Sequence, residues 1–184
     1  MNKVIISVLG QDRPGIVAAV SKILFRQNCN VENVSQTILQ SEFAGIFIAS
    51  MPADLSLENL KESLLDELHR IDLHVQIKSM QDQDPVFASI EIEPFVITTK
   101  GPDRKGLVAG ITEIIANHGV NITNLQAVFK GGDEPGDNIM IYEVDVPVGV
   151  DQKALDNELR QRAKALSLDI SIQHRNIFEA INRI

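Results

Sequence analysis

GQDRPGIVAAVSKILFRQNCNVENVSQTI, residues 10–38, returns as GPDRKGLVAGITEIIANHGVNITNLQAVF, residues 101–129. The two stretches align without a gap over 29 positions, 91 residues apart. Nine positions are identical: Gly10/Gly101, Asp12/Asp103, Arg13/Arg104, Gly15/Gly106, Val17/Val108, Ala18/Ala109, Ile23/Ile114, Asn30/Asn121 and Asn33/Asn124. Nine of the other 20 exchange one apolar residue for another, counting Ala19/Gly110. In a chain of 184 residues, an offset of this size means a duplicated domain and not the short period of a solenoid.

Outward from the repeat, each half reads alike. Val4–Leu9 is short and rich in β-branched residues, which predicts a strand; its counterpart is Phe95–Thr99. After the Gly-x-Asp-Arg-x-Gly turn, Ile16, Val20, Ile23 and Leu24 recur at helical spacing, as do Leu107, Ile111, Ile114 and Ile115. Asn28 and Gly119, types that accept a left-handed backbone, are expected to end these helices. Strands follow at Asn33–Leu39 and Ile46–Met51, and at Asn124–Lys130 and Asn138–Val146, the latter pair joined by the polar hairpin GGDEPGD at 131–137. Ser56 and Asp151 then cap helices striped by Leu57, Leu60, Leu64 and Leu68, and by Leu155, Leu159 and Leu166. Last come alternating strands, with Leu73, Val75 and Ile77, then Leu168, Ile170 and Ile172.

The order β-α-β-β-α-β, twice, predicts an α+β chain of two ferredoxin-like units, each an antiparallel sheet with both helices on one face. The expected division is 1–80 for the first unit, 81–93 for a linker or extra strand, 94–175 for the second unit and 176–184 for a C-terminal tail. Pro94 argues against one uninterrupted central strand at that point.

Composition narrows the function. Seventeen Lys plus Arg against 25 Asp plus Glu give a formal charge of −8, with no basic stripe, so direct nucleic-acid binding is not expected. No apolar run approaches the ~20 residues of a membrane span, and the N-terminus does not read as a secretory signal. The single cysteine, Cys29, forms no internal disulfide framework, which makes the cytoplasm the expected location.

The strand-to-helix turn carries what chemistry there is. Asp12 and Asp103 sit where a side chain can cap the first free helix amides, and Pro14 fits a first helical turn. Gly15 and Gly106 allow close approach to the backbone, and the helix start attracts a carboxylate. Asn30 and Asn121, entering the next strand, offer both a donor and an acceptor. The competing reading is ordinary structure: a cap, a tight turn and a helix end. Arg13 and Arg104 are either plain turn arginines or partners for a carboxylate. His69, His74, His118 and His174 show no metal spacing, His118 reads as a helix-end residue, and Cys29 as a small buried one. No nucleophile has a recognisable base partner.

The string GQDRPGIVAAVSKIL followed by NVENVSQ resembles the ACT domain, a small amino-acid-sensing module. Two such units in one chain resemble the glycine cleavage system transcriptional repressor group. The resemblance implies units paired through their sheets, within one chain or across a homodimer, and a small amino acid held between them. It implies ligand contacts from Asp12, Arg13, Gly15, Ile16, Asn30 and Val31, and from Asp103, Arg104, Gly106, Leu107, Asn121 and Ile122. Lys105 departs from Pro14 and makes the second turn looser and more cationic. The expectation is a sensor that regulates a partner protein, with no cofactor, no metal and no catalysis. The alternatives are a detached regulatory or accessory subunit of an amino-acid or one-carbon enzyme, and an assembly module without ligand.

Overall fold

The computed structural model describes residues 2–80, 90–129 and 138–177. It divides into two compact units between Gln83 and Asp84. The first runs β1 (Asn2–Gln11), α1 (Ile16–Arg26), β2 (Asn30–Leu39), β3 (Glu42–Met51), α2 (Leu57–His69) and β4 (His74–Met80). The second runs β5 (Ile92–Gly101), α3 (Leu107–Asn117), β6 (Asn121–Phe129), β7 (Asn138–Pro147), α4 (Gln152–Ala165) and β8 (Asp169–His174). The sheets are ordered β2-β3-β1-β4 and β6-β7-β5-β8, and every pairing is antiparallel. This is the α+β, ferredoxin-like plan that the repeat predicts.

Alternation along the central strands builds the core. Val4, Ile6 and Val8 of β1 and Phe43, Phe47 and Ala49 of β3 face the helices, where Ile16, Val20, Ile23 and Leu24 of α1 meet Leu60, Leu64 and Leu68 of α2. In the second unit Ile97, Met140, Tyr142 and Val144 meet Leu107, Ile111, Ile115, Leu155 and Leu159. Ala163 completes the buried stripe of α4, while Leu166, expected there, is the helix's C-cap and only partly buried.

The glycines leading into the turns are packing residues. A Cβ on Gly10 would stand 2.6 Å from Leu73 Cδ2 and 3.0 Å from the Asp72 carbonyl. On Gly101 it would stand 2.7 Å from Leu168 and 2.8 Å from the Ser167 carbonyl. Nothing larger fits between β1 and the chain entering β4, or at the matching place in the second unit.

Four features refine the sequence reading. The strands extend beyond their apolar cores, because main-chain pairing continues past the last buried side chain: β1 reaches from Asn2 to Gln11. β5 runs through Pro94 without a break. It does so because β8 pairs only from Phe95 onward, so at Pro94 β5 has one hydrogen-bonded neighbour and its missing N–H leaves no gap in a ladder. Asn28 (φ 56) and Gly119 (φ 67) hold the left-handed conformation expected just past α1 and α3. A β-bulge interrupts β2 between Val31 and Asn33, and the same bulge interrupts β6 between Ile122 and Asn124. The GGDEPGD segment, 81–89 of the linker and 178–184 of the tail lie outside the described residues; Arg175–Ile177 form a helical turn.

Candidate functional site: two bare helix openings

Each unit begins one helix with a side-chain cap and the other without. Ser56 Oγ accepts the Asn59 amide at 3.1 Å, and Asp151 Oδ1 accepts the Ala154 amide at 3.0 Å, as their positions predict. At α1 and α3 the N-cap residues are Gly15 (φ 99) and Gly106 (φ 88), and no side chain accepts from the first turn. The first helical bonds run from Ala19 N to Gly15 O at 2.9 Å and from Gly110 N to Gly106 O at 2.8 Å. The amides ahead of them have no acceptor within their helix, and they carry the positive end of its dipole.

This corrects two expectations. Asp12 and Asp103 do not cap: the left-handed glycine turns the chain so that the N-cap falls three residues after each aspartate. Pro14 stands one residue before the cap and not in the first helical turn. The glycines also have a sharper role than close approach alone. Their left-handed backbone excludes other residues at little strain, while an added Cβ at either would meet nothing within 4 Å.

Asp12, Arg13, Gly15 and Ile16 line one open hollow with Val17, Ala18, Gln36 and Phe43. Asp103, Arg104, Gly106 and Leu107 line its counterpart with Val108 and Ala109. Ile16 and Leu107 are buried, so they offer the hollow their backbone more than their side chains. Among the described residues, Asp12, Arg13, Asp103 and Arg104 make no side-chain hydrogen bond or ion pair, and all four are exposed.

The asparagines are elsewhere. Asn30 pairs with Ser50 and Asn121 with Asp145, on the side of each sheet away from the helices. Asn30 also lies six residues before Gln36, about 20 Å along an extended strand. Val31 and Ile122 turn the other way and pack against the two cores. Within one unit, then, the turn and the asparagine cannot touch a single small ligand.

Gln36 and Phe43 were not among the residues expected at the site. Gln36 comes onto the helix side beside Gly45 only because the bulge resets the strand, a signal the sequence does not carry. Their counterparts differ: Ala127 stands for Gln36 and Asn138 for Phe43. Asn138 is 2% exposed, and its Oδ1 has no hydrogen-bond partner.

The remaining polar residues are structural. Gln27 Nε2 donates to Ser63 Oγ at 2.9 Å, and its counterpart His118 lies 3.3 Å from Glu158; both tie the unit's two helices together. Arg26 with Glu67, and Arg162 with Glu113, do the same. Cys29 is buried, and burial pushes its thiol pKa up, away from reactivity. Among the described residues no group of His, Cys, Asp or Glu is arranged to hold a metal ion, and no helix is long and apolar enough to cross a membrane.

Twin βαββαβ units with a bare, glycine-started helix opening in each define a class of tandem ferredoxin-like modules. The chain belongs to the ACT-domain family, a family of regulatory modules, whose profile matches residues 2–78 and 93–173. It is 42% identical over 65 residues to a UPF0237 protein of Methanopyrus kandleri, covering 35% of this chain and 72% of that one. It is 43% identical over 65 residues to a UPF0237 protein of Methanocaldococcus jannaschii, with the same coverage. Among solved structures, an unknown protein from Galdieria sulphuraria shares the fold with a TM-score of 0.75 at 22% identity, over 94% of this chain and 98% of that one. A candidate glycine cleavage system transcriptional repressor does so with a TM-score of 0.65 at 21% identity, over 94% and 96%.

Proposed function

We propose that the chain is an amino-acid sensor. The carboxylate of a small amino acid docks on the free amides at the start of α1 or α3, where the helix dipole and the arginine of the turn favour an anion. The exposed Asp12 or Asp103 answers the ammonium group. An asparagine of a neighbouring unit, Asn30 or Asn121, completes the contact, since the asparagine of the same unit faces the other way. Such a ligand is shared by two units. It favours one pairing of units over others, and that preference is what couples binding to a partner protein.

One observation carries this reading. Around the two bare helix openings the copies keep exposed residues that the fold does not need, although they differ at many other exposed positions. Gly10/Gly101 and Gly15/Gly106 are fixed by packing and backbone geometry. Asp12/Asp103 and Arg13/Arg104 are fixed by neither, yet are identical and without partners.

The partner follows from charge. A chain at −8 without a basic stripe regulates transcription, if that is its output, through a DNA-binding protein and not by touching DNA itself. The fold shared with the candidate glycine cleavage repressor makes glycine and its one-carbon relatives the first ligands to try.

A thermal-shift screen of the amino acids tests the proposal. At 100 times its dissociation constant a specific ligand adds about 2.7 kcal/mol. For a chain of this size that raises the melting temperature by roughly 5–10 °C. Asp12→Ala with Asn30→Ala should reduce the response while leaving the ligand-free melting temperature near the parent's. A flat response to every amino acid would leave an assembly module without ligand; turnover of a metabolite by the purified chain would make it an enzyme.

A further inference from the structure

The second unit contains a cleft of about 180 Å³, partly open to solvent, between the inner face of its sheet and the first two turns of α4. Its walls are apolar: Phe95 and Ile97 of β5, Ile172 of β8, and Leu155 and Leu159 of α4 are chief among them. The polar residues on its lining are Gln152 and Asp156, one turn apart on α4. Both are engaged elsewhere. Gln152 Nε2 donates to Glu93 Oε2 at 2.7 Å, and both oxygens of Asp156 take Arg160, at 2.8 and 3.0 Å.

The first unit shows why the space exists. The first residue of α2, immediately after the capping Ser56, is Leu57, and its side chain packs onto the core. The first residue of α4, immediately after the capping Asp151, is Gln152, whose amide turns to Glu93 instead. One exchange of leucine for glutamine withdraws a four-carbon plug.

We infer that this cleft is a second ligand site, which takes one compact, uncharged, hydrocarbon-rich molecule about the size of benzene or a branched aliphatic chain. Water against these apolar walls forgoes hydrogen bonds, so a hydrocarbon group that displaces it gains by burying its surface. A zwitterion would lose hydration against these walls with no free polar group to replace it, so the ligand is of a different class from one held at the helix openings. The site rests on no assumption about those openings.

The test is a titration of the full chain with benzene, followed by methyl NMR. Saturable shifts are expected at Leu155, Leu159 and Ile172, and none at Leu60 or Leu64 of the first unit. Gln152→Leu, which restores the plug, should abolish those shifts and raise the melting temperature by roughly 2–4 °C. Val146→Leu fills the cleft from the sheet side and serves if the first variant folds poorly. Absence of saturable shifts in the parent, or equal shifts in both filled variants, overturns the site. Neither result bears on amino-acid binding, which is read separately by the thermal-shift screen.

Discussion

The two units share a frame and differ at its centre. On the inner face of the first sheet stand Val8, Phe43, Gly45 and Phe47; at the matching places in the second stand Thr99, Asn138, Met140 and Tyr142. The Phe43 ring lies over Gly45, so that a Cβ on the glycine would meet it at 2.7 Å. The second unit reverses the sizes, with Met140 large and Asn138 small, and so keeps the volume. It also becomes polar inside: Thr99 is buried beside the Tyr142 hydroxyl, which rests 3.3 Å from Met140 Sδ, and Asn138 Oδ1 is buried without a partner. The lesson is that this fold tolerates drift in the core provided volume is conserved, while Asp-Arg and the left-handed glycine of the exposed turn are kept.

The largest effect that can break the comparison is an alkaline pH dependence centred on Tyr142 of the second unit. Burial pushes the Tyr142 phenol up to about 12, above its ordinary value of about 10. The folded state therefore holds the proton longer than the unfolded state does. The associated stability is present below pH 10 and is lost as pH rises toward 12, about 2–3 kcal/mol in all. Tyr142 is the sole tyrosine, so its ultraviolet absorbance titration reads this directly. A phenol titrating near 10 in the folded protein would contradict the buried position, and Tyr142→Phe should flatten the alkaline loss.

Next come the glycines, where the units should behave alike. Gly15→Ala and Gly106→Ala each place a side chain at positive φ with no clash, so each should cost about 1–2 kcal/mol of backbone strain. Chemical denaturation measures both; a clearly unequal pair would show that the second turn, with Lys105 for Pro14, is built differently.

The smallest effect separates the aspartates. Asp151→Ala and Ser56→Ala remove real caps and should cost about 1 kcal/mol each. Asp12→Ala and Asp103→Ala remove nothing the fold uses and should stay within about 0.5 kcal/mol. A cost at Asp12 equal to that at Asp151 would return it to a structural role.

Much of this was legible in the residues. The repeat, the leucine stripes of α2 and α4, the caps at Ser56 and Asp151 and the left-handed ends at Asn28 and Gly119 all rest on local rules that a linear string displays. The mistaken readings share one cause. Asp12 looked like a cap because an aspartate before a helix often is one, but the positive φ of Gly15 moves the helix start, and φ is not written in the sequence. Pro94 looked like a strand breaker because the point where β8 begins to pair depends on the whole sheet. Gln36, Phe43 and the separation of Asn30 from its own turn depend on register across strands. The cleft beneath α4 depends on which way one glutamine points.

The bulges in β2 and β6 have a consequence for parity. Asn30 and Asn33 are an odd number of residues apart, so an unbroken strand would send their amides to opposite sides. The extra residue, Glu32, cancels that: the two pair with Ser50 and Ile48, which share a side, and Asn121 and Asn124 pair likewise with Asp145 and Glu143. Each unit thus displays a matched couple of carboxamides on its helix-free surface, and in the second Asn124 Nδ2 already grips Glu143 at 2.9 Å. Deleting Glu32 would split the couple in the first unit and leave that of the second intact.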